Sequence, residues 1–459
     1  MITLPRSGAT ALRLSALAAL FMSGPAAAVD LMGVHDLAVK NDPILQAAAL
    51  RREATGENER QAWSNLLPSL SARADTFRGD DESTISGQGL FPDVNRENDI
   101  DSESWRVDLN QVVYDQANYE QLDVARGQVS QAEAIYQGAY QDFLVRVATA
   151  YFEVLTTSDR VIFAEAEELA LQRQYEQAEQ KFEVGLTAIT DVYESRASYD
   201  NARARAIVAR NELADAREGL RQLTGQYFEE VDPLQDELPL VDPDPNNIEE
   251  WVQTALEYNP FVVQARFATD IADANVRLQR TGHFPTLNFT AGYNDFTNNS
   301  IQLTNDIGEV IATTSLEATD FRYGLVLNVP IYQGGFVNSR TRQARYELGA
   351  VQQDLEDQQR FTMRETRNAF RAVVAGIEQV QAFGQALVSG EAALEATQAG
   401  FEVGTRTIVD VLLAQQRFYG AARDNSLARH TYILNHLRLK LAAGLLAEED
   451  LRRVNTILE

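Results

Sequence analysis

The chain has 459 residues, no cysteine, and 67 acidic against 40 basic side chains, a formal charge of −27. That balance argues against nucleic acid as a partner, because phosphate binding needs clustered Lys and Arg to displace counterions. Without cysteine there is no disulfide framework, no thiolate nucleophile and no cysteine-ligated zinc.

Residues 1–28 read as a signal peptide. Arg6 and Arg13 flank and precede an apolar run, 14–22, followed by "SGPAAAVD" with an A-x-A site and cleavage expected after Ala28. Nothing downstream offers 18 consecutive apolar residues, the length a membrane-spanning helix needs. An exported chain of this kind is either soluble or crosses a membrane as strands.

A first repeat is expected over 29–224, with a helix near 41–66, strands near 69–78 and 104–114, a long helix near 118–184 and a further helix near 188–224. No proline stands between Pro92 and Pro233, so helices there can run uninterrupted. Leu122, Ala125, Val129, Ala132, Tyr136, Tyr140, Phe143, Val147, Tyr151 and Val154 keep steps of three or four, a sustained seam of coiled-coil type. Such a seam fits the wall of a long tube and equally an antiparallel hairpin in a helical bundle. Residues 225–257, acidic and holding Pro233, Pro239, Pro243 and Pro245, form a connector expected to lie as an equatorial belt outside the helices.

The second repeat, 258–446, is expected to place a helix near 258–283, strands near 286–296 and 320–331, a long helix near 335–403 and a helix near 407–444, before a tail at 447–459. In "FRYGLVLNVPIYQ" the residues Phe321, Tyr323, Leu325, Leu327, Val329 and Ile331 alternate with Arg322, Gly324, Val326, Asn328 and Pro330. "TLNFTAGYNDF" alternates likewise, and "WRVDLNQVVY" and "LPSLSARADTF" are weaker versions in the first repeat. About ten residues per strand suffices to cross a membrane when tilted. A half-buried soluble sheet would look similar strand by strand, and four such strands in an exported chain favour the membrane. The intervening stretches, "RGDDESTISGQGLFPDVNRENDIDSES" and "TNNSIQLTNDIGEVIATTSLEATD", read as polar hairpin loops.

The two repeats align residue by residue. "FEVGLTAITDV" from Phe182 returns as "FEVGTRTIVDV" from Phe401, Pro43 matches Pro260, Pro68 matches Pro285, Tyr114 matches Tyr332, and Gly225 matches Gly444. The offset stays between 217 and 219 residues throughout, the mark of one ancestral unit duplicated.

No constellation for catalysis competes with this reading. His35, His283, His430 and His436 are scattered, and neither a phosphate loop nor an H-E-x-x-H pair occurs. The expectation is a protein that is not an enzyme and holds no cofactor or metal.

In order along the chain, "TAYFEVL", "FEVGLTAITDV", "LRQLTG", "GHFPTLNFTA", "VPIYQGGFVNSR" and "FEVGTRTIVDVL" resemble the TolC family of outer-membrane efflux and secretion channels, over essentially the whole of 29–459. That resemblance implies a mixed α and β membrane protein, a homotrimer with a 12-stranded outer-membrane β-barrel and an α-helical barrel extending into the periplasm. It further implies a passive exit duct of a tripartite efflux pump or type I secretion system, working with a periplasmic adaptor and an inner-membrane pump or ABC exporter. The alternative is a non-conducting periplasmic coiled-coil scaffold or adaptor, which would lack the four amphipathic strands.

The echoed motifs are the candidate site. Gly185 and Gly404 can adopt the left-handed conformation that ends a helix, and by resemblance these turns flank the adaptor-docking grooves. Thr407 to Asp410 has the spacing of an N-cap with an acid three residues on. By resemblance Asp410 also faces the pore axis, so that three copies make a cation-attracting ring. Leu413 stands where the family has a second aspartate. Arg406 matches an arginine that latches to a neighbouring chain, with Asp191 and Thr190 as its partners. Phe401 replaces a family tyrosine, Gln398 replaces a glutamate, and Gln174 is retained.

Overall fold

The computed structural model describes residues 29–85, 94–304 and 310–458. Helix α1 (Leu31–Asn41) starts at Asp30, whose carboxylate accepts from the Gly33 N–H at 2.8 Å. Asp42 then ends it and caps α2 (Pro43–Ser64), accepting from the backbone N–H groups of Ile44 and Leu45 at 3.3 and 3.2 Å. The single helix expected near 41–66 is therefore the second of a pair. The break is local: Pro43 has no N–H and its ring excludes the preceding turn, so it can only begin a helix.

Strands β1 (Ser69–Ile85) and β2 (Val94–Tyr114) lead into the 68-residue α3 (Gln116–Glu183), about 100 Å long at 1.5 Å per residue. Helix α4 (Ile189–Thr224) returns alongside it. The connector then ends earlier than the sequence suggests, because α5 (Ile248–Tyr258) begins inside it. Asn259 separates α5 from α6 (Pro260–Arg280) as Asp42 separates the first pair, accepting from the Phe261 N–H at 2.9 Å. A 3-10 turn, Thr281–His283, precedes β3 (Thr286–Thr304), β4 (Val310–Asn328), the 67-residue α7 (Phe336–Glu402) and its partner α8 (Ile408–Ala443). The tail expected at 447–459 contains α9 (Glu448–Asn455).

The duplication is visible in the hydrogen bonds themselves. Asn41 Nδ2 donates to the Thr224 carbonyl and Asn259 Nδ2 to the Ala442 carbonyl, each at 2.9 Å and each across 183 residues. In both repeats an asparagine beside the helix-pair break satisfies a carbonyl that the end of the returning helix leaves unpaired.

The four strands form one antiparallel sheet in the order β1-β2-β3-β4. Register brings Leu70, Leu109, Ala291 and Tyr323 into line, and beside them Ala72, Val107, Tyr293 and Phe321. With Trp105, Phe289, Leu325 and Leu327 these residues make one apolar face, on which Leu70, Phe321, Tyr323, Leu325 and Leu327 are each more than 60% exposed. The opposite face carries Ser71, Arg73, Asp75, Arg106, Asp108, Asn110, Asn288, Thr290, Asp320 and Arg322. Its charges are paired along the strands, Arg73 with Asp75 at 2.9 Å and Arg322 with Asp320.

The strands run 17 to 21 residues, well beyond the ten or so expected, so the described parts of the segments read as loops are strand. Backbone pairing needs no apolar face; alternation marks only the portion that must meet lipid. At the other end β4 stops at Asn328 and not near 331, where Pro330 cannot donate to a ladder.

The main core lies at mid-height. Phe143, Leu144, Val147, Ala148, Tyr151 and Phe152 of α3 pack there with Leu31 and Val34 of α1, Leu220 of α4, Val373 of α7, Leu437 and Leu439 of α8 and Leu451 of α9. The connector is stitched onto this core, since the buried Tyr151 hydroxyl donates to the Asp232 carbonyl at 2.8 Å. Among the described residues no helix is long and apolar enough to cross a membrane.

Candidate pore mouth

Both helical hairpins turn through the same device. After α3, Gly185 takes φ +75° while the Leu186 N–H donates to the Lys181 carbonyl at 2.8 Å and the Gly185 N–H to the Phe182 carbonyl at 2.9 Å. After α7, Gly404 takes φ +78° with Thr405 N–H to Gly400 at 2.8 Å and Gly404 N–H to Phe401 at 3.1 Å. This double bond pattern closes a helix end, and only glycine adopts its left-handed residue without strain. Val184, Leu186 and Val403 beside the turns are about 70% exposed or more, so each tip presents apolar side chains to its surroundings.

The restart of the second hairpin is a complete capping box. Thr407 Oγ1 accepts from the Asp410 N–H at 3.3 Å, and the Asp410 carboxylate accepts from the Thr407 N–H at 3.0 Å and from its hydroxyl at 2.9 Å. These backbone and hydroxyl donors, with Arg406 nearby, hold the Asp410 carboxyl below the usual carboxylate range. Asp410 is thus an ionised cap at neutral pH. One turn on, Leu413 is 42% exposed.

The first hairpin restarts differently. Ala188 has no side chain to cap α4, and Asp191 instead accepts from the Thr187 hydroxyl. Thr187 was not singled out from the sequence, although it precedes Asp191 by four residues just as Arg406 precedes Asp410. Thr190 is exposed.

Within one chain the structure does not bring Arg406 to Asp191. Arg406 is exposed, packs its stem against Gly400, and has no carboxylate within ion-pair distance among the described residues. Gln398 and Gln174 are half-buried on α7 and α3, without a side-chain hydrogen bond among the described residues. Phe401 joins a small apolar cluster with Leu171, Tyr199, Ala202, Ile408 and Leu412, and the Lys181 ammonium lies 4.8 Å from its ring centre. No local sequence pattern signals that contact, because the two residues lie on different hairpins.

Further up the tube His430 of α8 is buried, its Nδ1 2.9 Å from the Thr156 hydroxyl of α3. Burial, with Arg429 adding to it, pushes its pKa down to about 4. Asp159 stands 3.9 Å from its Nε2 and accepts from the Ser426 hydroxyl, and burial raises its carboxyl above the usual range. Among the described residues no cluster of His, Asp and Glu could hold a metal ion.

Comparison with known proteins agrees with this architecture. The family described as outer membrane efflux protein matches residues 34–226 and 251–445, one match per repeat. The chain is 37% identical over 428 residues to outer membrane protein TolC of Vibrio cholerae, covering 93% of each. It is 28% identical to the alkaline protease secretion protein AprF of Pseudomonas aeruginosa, covering 95% of this chain and 88% of that one. In fold it is similar to the Campylobacter jejuni CmeC outer membrane channel, with a TM-score of 0.73 and 16% identity over 98% of this chain and 97% of that one. With a lipid-facing sheet at one end and paired helical tips at the other, the chain belongs to the outer membrane efflux protein family, and is an exit duct seated in the outer membrane and extending into the periplasm.

Proposed function

We propose that three copies of this chain close one barrel and one tube, and that the duct so formed is gated at its helical tips. The observation that carries the assembly is the sheet. It has four strands, a free edge at β1 and another at β4, and an apolar face open to its surroundings. Unpaired strand edges are not tolerated in hydrocarbon, so the sheet must close with further copies. Channels of this family work as trimers, which gives twelve strands. The same sheet argues against a scaffold confined to the periplasm.

The gate reading rests on the tips. Asp410 from three chains would form one ring of ionised carboxylates at the entrance, with Leu413 forming an apolar ring one turn on. Among the described residues Arg406 has no carboxylate within ion-pair distance, and Asp191 accepts from the Thr187 hydroxyl, so each is available to a neighbouring protomer. The exposed apolar turns at Gly185 and Gly404 suit docking by a periplasmic adaptor, with an inner-membrane pump or ABC exporter supplying energy and choosing substrates.

An ion pair at a wet mouth contributes about 0.2–1 kcal/mol. Three of them, if additive, bias closure by roughly 1–3 kcal/mol, on the order of 5- to 150-fold in the closed-to-open ratio. Arg406→Ser should raise resting conductance in planar bilayers and sensitise cells to large antibiotics. Exchanging charges, Arg406→Asp with Asp191→Arg, should restore part of the closure. An Arg406→Ser channel that conducts like the parent would remove the latch.

A further inference from the structure

Two hairpins of one protomer meet near the mouth, and what joins them changes along their length. Higher up the contact is polar: Thr156 with His430 at 2.9 Å, and Asp159 with Ser426. Below Asp159, among the described residues, no hydrogen bond or ion pair crosses between α3/α4 and α7/α8. The crossing contact there is the apolar cluster of Leu171 and Ala202 from one hairpin with Ile408 and Leu412 from the other, all at most 7% exposed. Phe401 and Tyr199 pack on that cluster from the two sides. Phe401 then carries the Lys181 ammonium over its ring at 4.8 Å, reaching from the last turn of α3 to the last turn of α7.

We infer that Lys181 and Phe401 form a cation–π clasp that holds the two hairpins of each protomer together at the mouth. This rests on the gate reading above and adds to it a residue, Lys181, that the motif comparison does not single out. A phenylalanine at 401 has no hydroxyl to donate, so the hairpins cannot be tied there by a side-chain hydrogen bond from that ring. The ring's negative face and the lysine's compact charge supply an attraction that tolerates partial exposure. Any outward movement of one hairpin relative to the other must separate the lysine from the ring and open the cluster beneath it. Lys181 and Phe401 are thus positioning residues for the closed state.

Exposed cation–π contacts correspond to about 2- to 5-fold in an equilibrium, and a threefold-symmetric channel repeats the clasp three times. The test is single-channel recording on purified full-length protein, with thermal unfolding of each variant measured alongside. Lys181→Gln and Phe401→Leu should each raise the resting open fraction by about 10-fold or more, that is, the single-clasp factor taken three times. Because Lys181 acts here only through the ring, whereas Phe401 also packs on the cluster, the double variant should open no further than Phe401→Leu alone. Lys181→Arg, which keeps a cation over the ring, should stay near the parent. Lys181 is exposed, so its variants fold irrespective of the answer. The clasp is overturned if Lys181→Gln conducts like the parent while Arg406→Ser opens the channel, or if the effects of Lys181→Gln and Phe401→Leu multiply. Silence from both Lys181→Gln and Arg406→Ser would overturn the gate reading itself, and the clasp with it.

Discussion

At the scale of single residues, the cap that Asp410 forms and the cation ring proposed for it are chemically compatible. Its carboxylate accepts two hydrogen bonds from Thr407, and those bonds keep it ionised, which is the state a cation ring needs. Because its folded pKa is depressed, both the cap and the charge are present above the ordinary carboxylate range and are lost only as pH falls below it. Multivalent cations added on the periplasmic side should therefore block conductance at neutral pH, and Asp410→Asn should abolish the block. Thr407→Ala should cost about 1 kcal/mol of local stability yet keep the block. Leu413→Asp should tighten it. Block that survives Asp410→Asn would leave the residue as a cap alone. The capping half of this account was legible as the Thr407–Asp410 spacing. Facing a pore axis is not a property that spacing in one chain can express.

His430 gives a second residue-scale test. Its folded pKa is depressed, so the unfolded chain takes up a proton at higher pH than the folded one does. The sign follows: stability is full above about 6.5, the ordinary histidine value, and falls as pH drops towards about 4. The raised Asp159 carboxyl opposes this, since the folded state binds that proton more readily. His430→Gln should flatten the acid side of the unfolding profile between those limits; an unchanged profile would show that His430 does not shape it. Nothing in the sequence distinguished this histidine from the other three, because its burial depends on Phe152 and Thr156 of a helix some 270 positions away.

At the scale of elements, the long helices were readable because proline is absent and the apolar step is regular, both local properties. The paired helices at each repeat's start were less so: a break at Pro43 or Pro260 looks like a beginning, while the helix before it is short. Strand ends were hidden for a different reason. Alternation reports which residues face lipid, and pairing continues where lipid stops. The repeat also predicts an asymmetry. Gly225 and Gly444 end corresponding helices at φ +73° and +74°, but a Cβ at Gly444 would lie 2.5 Å from the Tyr258 carbonyl oxygen, whereas at Gly225 the nearest atom is 3.6 Å away on Asn41. Gly225→Ala should cost roughly 1–2 kcal/mol for the left-handed backbone alone. Gly444→Ala should cost distinctly more, because backbone must move. Thermal unfolding of the two variants checks the order, and equal losses would contradict it.

At the scale of the whole molecule, a single chain holds an incomplete object. Its lipid-facing sheet has two open edges, its acidic cap has no axis to face, and among the described residues Arg406 has no acid within ion-pair distance. On the assembly proposed above, the same threefold closure fills each gap. Native mass spectrometry in detergent should find a trimer, and a well-folded monomer would be incompatible with the sheet. The measurement that bears most directly on the central claim is planar-bilayer recording of the purified protein. A trimeric duct predicts discrete, uniform conductance steps that multivalent cations silence from one side and that Arg406→Ser enlarges or prolongs. Folded, membrane-inserted trimer that produces no steps at all would contradict it.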